Sequence, residues 1–334
     1  MDEDELYDHL EAYTADVDAA AGDLVAECVG AARAFLTGVL PRLVTRWVRT
    51  FGSLDATLAP AEATTATRFV GVALAGLPGL VPPKRSDWAK LHRLGVDLVV
   101  ATTDRPGVAG RDVLLSDPVL DDPTAAFAAY RSWRAGAKPR VTSWGEAAAR
   151  VGAENLRINR VASTIDTAAR TAAADGQETA AAGLDLSRVW ISERDGCVHC
   201  LGLAGAVVAA GGDFDATATF GDRPLGTYKD RALSAPPRHP NCRCTVAYGT
   251  PDRLAPLAAG LVREAERSIV RGFSLPSEGE GVRIRAADRV LTAGTGLPKS
   301  VQAYGRRAVR EGEFPRGRDV PGPGTTPVLL RPTT

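Results

Sequence analysis

Cys197-Val198-His199-Cys200 and, after 38 intervening residues, His239-Pro240-Asn241-Cys242-Arg243-Cys244 together hold four of the chain's five cysteines and two of its four histidines. A C-x₂-C pair lets two thiolates reach one ion from a single tight turn, and a second donor set from a distant turn completes a tetrahedron. Such a tie stabilises a region that has little apolar core. Thiolate and imidazole donors make zinc, in a structural role, the first metal to consider. The preferred ligands are Cys197, Cys200, His239 and Cys242, with Cys244 in place of His239 as the main variant; His199, between two cysteines, is expected to point away. Two other readings stand beside the metal. One is one or two disulfides formed late or outside the cell, since cytosolic synthesis argues against early ones, and the other is unligated buried thiols. Cys28, alone on an apolar helical face, reads as core.

The same residues argue against catalysis. A nucleophilic cysteine is usually single and needs one imidazole and an orienting group, whereas here four cysteines compete for the role. A nuclease of the HNH type needs further His or Asn residues after the cluster, and no His follows position 239. The chain has no G-x-S-x-G, no G-x-x-x-x-G-K-[ST] and no H-E-x-x-H, and Gly294-Thr295-Gly296 is a bare loop signal. His9, His92, Asp87 and Asp104 share no recognisable spacing. No catalytic and no organic-cofactor residues are predicted, and the expectation is a non-enzyme.

Outward from the cluster, the reading is mostly helical. Ser143 and Glu146 have capping-box spacing, and Val151, Ile158, Val161 and Ile165 mark one face of a long helix that Gly176 is expected to stop. Its other face, with Asn155, Arg157, Asn159, Arg160 and Arg170, reads as solvated or, second, as an assembly contact. Val189-Trp190-Ile191 reads as a short strand. Thr250-Pro251 caps a helix with the stripe Leu254, Leu257, Leu261, Ala265 and Ile269, closed by Gly272. Another helix begins near Pro298 and aligns Val301, Tyr304 and Ala308. Toward the N-terminus, Leu24 to Val48 recur at three- and four-residue steps, predicting a helix from about Ala20 to Phe51 with a kink at Pro41. Trp88–Val100 is mixed, its tail Val96–Val100 a strand or a helix end. Asp104–Pro123 is turn-rich. Tyr130, Trp133 and Trp144 read as core and helix-start packing. The fold class is therefore mainly α with a small α+β Cys/His-rich module. The division is a helical region over 1–118, the module over 119–250, C-terminal helices over 251–314 and a flexible Pro/Gly tail over 315–334.

Composition narrows the function. The 334 residues balance 40 Lys+Arg against 40 Asp+Glu, and only five of those cations are Lys. An Arg-for-Lys bias with abundant Ala, Gly and Pro is what a GC-rich genome produces, so arginine alone is weak support for nucleic acid. Charge is uneven: nine acids and no Lys or Arg in the first 23 residues, then 13 Lys+Arg against seven Asp+Glu between Arg253 and Arg318. The acidic start reads as solubilising or, second, as a mimic of nucleic acid. It lacks a signal-peptide pattern. The longest apolar candidate, Phe69–Val81, is interrupted by Gly71, Gly76, Pro78 and Gly79, so no membrane-spanning segment is expected. No repeat is found.

The ordered set of a polar-faced helix over Arg150–Ala174, Val189-Trp190, the Cys197-x-x-Cys200 turn, Leu201–Val207 and Pro236-Pro237-Arg238-His239-Pro240-Asn241-Cys242-Arg243-Cys244 resembles the Mu F-like head morphogenesis proteins, the minor head proteins of tailed bacteriophages. It covers about a third of the chain. The carry-over is confined to Cys197, Cys200, His239, Cys242 and Cys244. The Gly-rich insert Gly211–Gly221 and Arg194-Asp195-Gly196 before the first cysteine depart from the pattern. The resemblance implies a non-enzymatic virion component of the head interior, made in the host cytoplasm. Its partners would be the portal and the capsid or scaffold proteins, with packaged double-stranded DNA as a further candidate through Arg263, Arg267, Arg271, Arg306, Arg307 and Arg310. The competing classes are a zinc-containing nucleic-acid-binding protein and a toxin or nuclease joined to a Mu F-like module.

Overall fold

The computed structural model describes residues 2–103, 117–182, 184–209, 211–214, 217–220, 223–227, 233–240, 242–274, 278–315 and 329–332. Its helices are α1 (Glu3–Phe51), α2 (Pro60–Ala75), α3 (Arg85–Thr103), α4 (Asp117–Ala135), α5 (Trp144–Ala181), α6 (Val198–Leu203), α7 (Pro251–Val270), α8 (Glu280–Ala293) and α9 (Lys299–Glu311). The strands are β1 (Ser187–Ile191), β2 (Val207–Val208), β3 (Thr217–Phe220), β4 (Arg223–Thr227) and β5 (Thr245–Gly249). The protein is mainly α with a small α+β module, as the sequence predicts.

Two compact units are present, and neither is one block of sequence. The first comprises Met1–Asp18, Lys90–Leu114 and Arg170–Thr334; the second comprises Ala19–Ala89 and Leu115–Ala169. Sequence blocks cut at 118, 250 and 314 follow composition, whereas the units follow packing, and three helices carry the chain from one unit to the other.

α1 starts much earlier than Ala20. Asp2 and Glu5 cap it reciprocally, the Glu5 amide donating to Asp2 Oδ1 at 2.8 Å and the Asp2 amide to Glu5 Oε2 at 2.9 Å. Glu3, Asp4 and Glu5 lie in its first turn, where carboxylates are favoured by the helix dipole. The acidic run is thus in part a helix start. Pro41 lies inside the uninterrupted helix. An 18-residue window of α1 has mean hydropathy 1.4, long and apolar enough by length and composition to cross a membrane. This corrects the expectation that no stretch qualifies. α1 also shows a core-helix pattern: Leu24, Cys28, Ala32, Leu36, Val39, Leu43 and Trp47 are all buried at three- and four-residue steps.

In the second unit Trp47 meets Trp144, the first residue of α5, edge to face at 5.5 Å. Ser143 caps that helix through the Glu146 amide at 3.2 Å, but the Glu146 carboxylate reaches one residue further back, accepting from the Thr142 amide at 2.6 Å. The polar face of α5 is not simply solvated. Asn159 accepts from Arg33 at 2.9 Å, and Arg157 stands 5.4 Å over the Trp133 ring. Val96–Val100 is helical, within α3. Of the turn-rich segment Asp104–Pro123, residues 104–116 lie outside those described. Pro118 and Pro123 belong to α4; Pro118 is in the first turn, where a missing N–H loses no intrahelical bond, whereas Pro123 is inside the helix.

In the first unit β1 pairs antiparallel with β2 and β5 in the order β2-β1-β5, with Val189 opposite Ala247 and Trp190 opposite Val246. β3, in the Gly-rich insert, and β4, just after it, form a separate antiparallel pair. Alternation along β1 sends Val189 and Ile191 into one core with Leu254, Leu261 and Ile269 of α7. Trp190 enters a second core with Phe214, Val246, Cys197, Cys200 and Cys242. The period-two pleat thereby places the cysteine turns on the sheet face opposite α7. α7 begins at Pro251 after Thr250, and its predicted stripe is buried throughout.

The C-terminal segment, expected to have no core of its own, is anchored at one point in the core that α7 lines. Residues 316–328 lie outside those described, but Leu329 and Leu330 are buried, the Leu330 amide donates to the Ser192 carbonyl at 2.8 Å, and Leu329 bridges Glu193. Two leucines suffice to anchor a short segment in an existing core.

Candidate metal centre

Cys197 is the N-cap of α6, its sulfur accepting the Cys200 amide at 3.4 Å. One turn of helix therefore sets both sulfurs of the C-x₂-C pair on one side. In the distant segment the Cys242 amide donates to the His239 carbonyl at 3.0 Å, closing a tight turn that follows a cis Pro236-Pro237 bond. Cys244 lies one residue before β5 and is anchored by it. The sheet that joins β1 to β5 brings the two turns together.

The donors converge as two overlapping triads. Cys197, Cys200 and His239 form one, and Cys200, Cys242 and Cys244 the other, with ligand atoms in each within 4.8 Å of one another. His239 Nε2 lies 3.2 Å from both Cys197 Sγ and Cys200 Sγ, and Cys200 Sγ lies 3.9 Å from Cys242 Sγ. A tetrahedral zinc with ordinary bond lengths has sulfur–sulfur edges of about 3.8 Å and sulfur–nitrogen edges of about 3.5 Å. A disulfide would need about 2.05 Å, and all five cysteines are free thiols. The five predicted donors fit a metal ion, with Cys200 common to both triads; His199 belongs to neither. Cys28 is buried, as expected of a core residue.

The placement of His239 suits ligation through Nε2. Its Nδ1 faces the Pro240 carbonyl oxygen at 2.9 Å. A proton donated there leaves the Nε2 lone pair toward the sulfurs.

Charge in the cluster is divided unevenly. Hydrogen bonding from Cys200 and then from His239 pulls the Cys197 thiol down to about 4 against the opposing effect of burial. Cys242 is held well below the ordinary thiol value, chiefly by a hydrogen bond from Cys200. Cys200 and Cys244 are pushed up, the first by its bonds to the neighbouring sulfurs and the second by burial. The bond to Cys197 raises His239 to about 9. The shifts thus push Cys197 and Cys242 toward the thiolate and Cys200 and Cys244 toward the thiol. A divalent cation would displace ligand protons and take four of the five donors.

An outer layer, missed in the sequence reading, fixes the turns. Ser192 Oγ donates to the Cys200 carbonyl at 2.7 Å and lies 3.4 Å from Cys244 Sγ. Arg243, flanked by two donors, reaches Glu193 at 3.0 Å and Asp195 at 3.2 Å. Burial raises Glu193 to about 8 despite that arginine. Glu278 accepts the Val198 amide at 3.1 Å and so holds the start of α6. Glu193, Asp195, Arg243 and the donors border a cavity of about 30 Å³, the size of one ion or one water. Arg243 was legible as a neighbour of two cysteines; Ser192, Glu193 and Glu278 carried no local signal.

The arginines proposed for DNA are mixed in state. Arg263, Arg306, Arg307 and Arg310 are exposed. Arg307 pairs with Glu311 at 2.9 Å, Arg267 with Glu264 at 3.6 Å, and Arg306 donates to Gln302 at 3.2 Å. His92 is buried in α3, and Asp87 accepts the Lys84 amide at 2.7 Å near the start of that helix.

No family model matches the chain, and neither a curated protein nor a solved structure matches it. The site is a Cys/His group arranged to hold a metal ion.

Proposed function

We propose that this group holds a structural zinc ion and that the chain is a minor capsid protein of a tailed phage, acting in head morphogenesis beside the portal by protein contacts, without catalysis. The observation that carries the metal assignment is the convergence of two turns 38 residues apart to 3.2–3.9 Å between donor atoms. Soft sulfur donors with one imidazole favour zinc over hard cations. Redundancy among the thiols supports a scaffold over a nucleophile. The phage reading is supported by the P-P-x-H-P-x-C-R-C run at Pro236–Cys244 and its order after the long helix and the C-x₂-C turn.

Metal analysis of protein purified under reducing conditions tests the first claim. About one zinc per chain is expected, and under one-tenth equivalent contradicts it. Proteomics of purified phage particles from the source, together with the genes flanking this one, tests the second. Presence in heads and a neighbouring portal gene support it, and absence from particles overturns it. A DNA role for Arg263, Arg306 and Arg310 predicts retention on duplex DNA that falls steeply with salt; salt-independent retention removes it.

A further inference from the structure

The second unit carries an open trough between α1 and α2 that the metal reading does not use. Cavities of about 260 Å³ and 160 Å³ share Arg46, Phe69 and Val72 and run together along the helices. Leu43 and Val39 are buried beneath it, and the rings of Phe35 and Phe69 are half-buried in its wall. Val72 stands 64% exposed at its edge. An aliphatic residue so open beside two half-buried aromatic rings is an apolar surface without a cover among the described residues.

The rim has one sign of charge. Between Cys28 and Leu54 the chain has Arg33, Arg42, Arg46 and Arg49 and no Asp or Glu. Arg42, Arg46 and Arg68 line the trough, and none of the three forms an ion pair among the described residues. Arg46 lies 4.6 Å over the Phe69 ring and Arg42 5.9 Å over the Phe35 ring. Stacking of this kind keeps a guanidinium on the apolar surface while its N–H groups remain free to bond. Arg42 spends one of them on the Gly38 carbonyl at 2.8 Å.

We propose that this trough docks an amphipathic helix of another protein, with apolar side chains in the Phe35–Phe69 cleft and flanking Asp or Glu on Arg42, Arg46 and Arg68. Three features select that occupant. The lining runs on α1 from Phe35 to Phe51, about 24 Å at ~1.5 Å per residue, which accommodates about four helical turns. A furrow between two helices accepts a third by helix-in-groove packing. The rim arginines penalise a basic helix and leave an uncharged one without partners for them, whereas acidic flanks are complementary. The surface belongs to the second unit alone and does not depend on whether the cluster binds zinc.

The test uses the full chain and a fluorescein-labelled Leu/Glu heptad peptide of about 18 residues, with the same peptide carrying Lys for every Glu as its counterpart, read by fluorescence anisotropy. The Glu peptide is expected to bind, more weakly as salt rises, and the Lys peptide is not. Both R46E/R68E and V72D should weaken the Glu peptide by at least about tenfold, the scale of a lost charge-assisted contact. Val72 is exposed, and far-UV circular dichroism of V72D identical to wild type excludes unfolding as the cause. The proposal is overturned by equal binding of the two peptides, binding of neither, Glu-peptide affinity unchanged in both variants, or capture by phosphatidylglycerol vesicles without peptide binding. Self-association by light scattering that V72D abolishes, without peptide binding, would assign the trough to a second copy and equally overturn it.

Discussion

Gly95 and Gly176 face each other where α3 and α5 cross: a Cβ built on Gly176 would lie 3.2 Å from Gly95 Cα and 2.0 Å from the His92 carbonyl oxygen. The reciprocal Cβ on Gly95 would lie 1.9 Å from the Ala173 carbonyl oxygen. Both contacts are with backbone, which cannot rotate aside. Gly95→Ala or Gly176→Ala should therefore cost about 2 kcal/mol or more through overpacking, while Gly152→Ala, whose Cβ meets nothing within 4 Å, should be neutral or stabilising. Thermal melts of the three variants decide the point. A Gly176→Ala protein as stable as wild type would remove the close crossing.

Cysteine substitutions should separate ligand from core. Cys200→Ala, which removes the donor common to both triads, should abolish stoichiometric zinc and lower the melting temperature. Cys28→Ala should retain zinc and cost only about 1 kcal/mol for a small cavity. Elemental analysis paired with calorimetry distinguishes them; zinc retained in full by Cys200→Ala contradicts the assignment.

Glu193 supplies a pH signature. Its carboxyl is raised by burial to about 8, so between the unfolded value near 4.5 and that point the native state binds more protons than the unfolded state. Its protonation contributes stability at acid pH that is lost as pH rises through 8. The difference in melting temperature between Glu193→Gln and wild type should shift in favour of the variant from pH 5 to 8 and level off above. A difference that is flat across this window would place the carboxyl in a wetter environment.

The C-terminal anchor should be worth more in leucine than in arginine. Leu330→Ala should destabilise by about 2–4 kcal/mol. Arg331 pairs with Asp8 at 3.0 Å, and more distantly with Asp4 and Glu11, over an exposed stretch of α1. Arg331→Ala should cost under about 1 kcal/mol, and less in high salt. Urea unfolding at two ionic strengths measures both.

Local chemistry alone determined several features of this protein. The Thr250-Pro251 start and the Leu254-to-Ile269 stripe specify α7, because cap and periodicity reside in adjacent residues. The β-branched and aromatic run around Trp190 specifies a strand, and paired cysteine turns specify five candidate donors. Tertiary structure decided the rest. Gly176 carries α5 onward because a missing Cβ serves a backbone crossing whose partner, Gly95, lies 81 residues away. Leu329 and Leu330 are buried because a distant core has room for them, and Cys200 serves both triads because β1 and β5 pair in one register. Propensity acts within a few residues. Close approach, burial and ligation depend on which distant residues share space, and packing alone settles that.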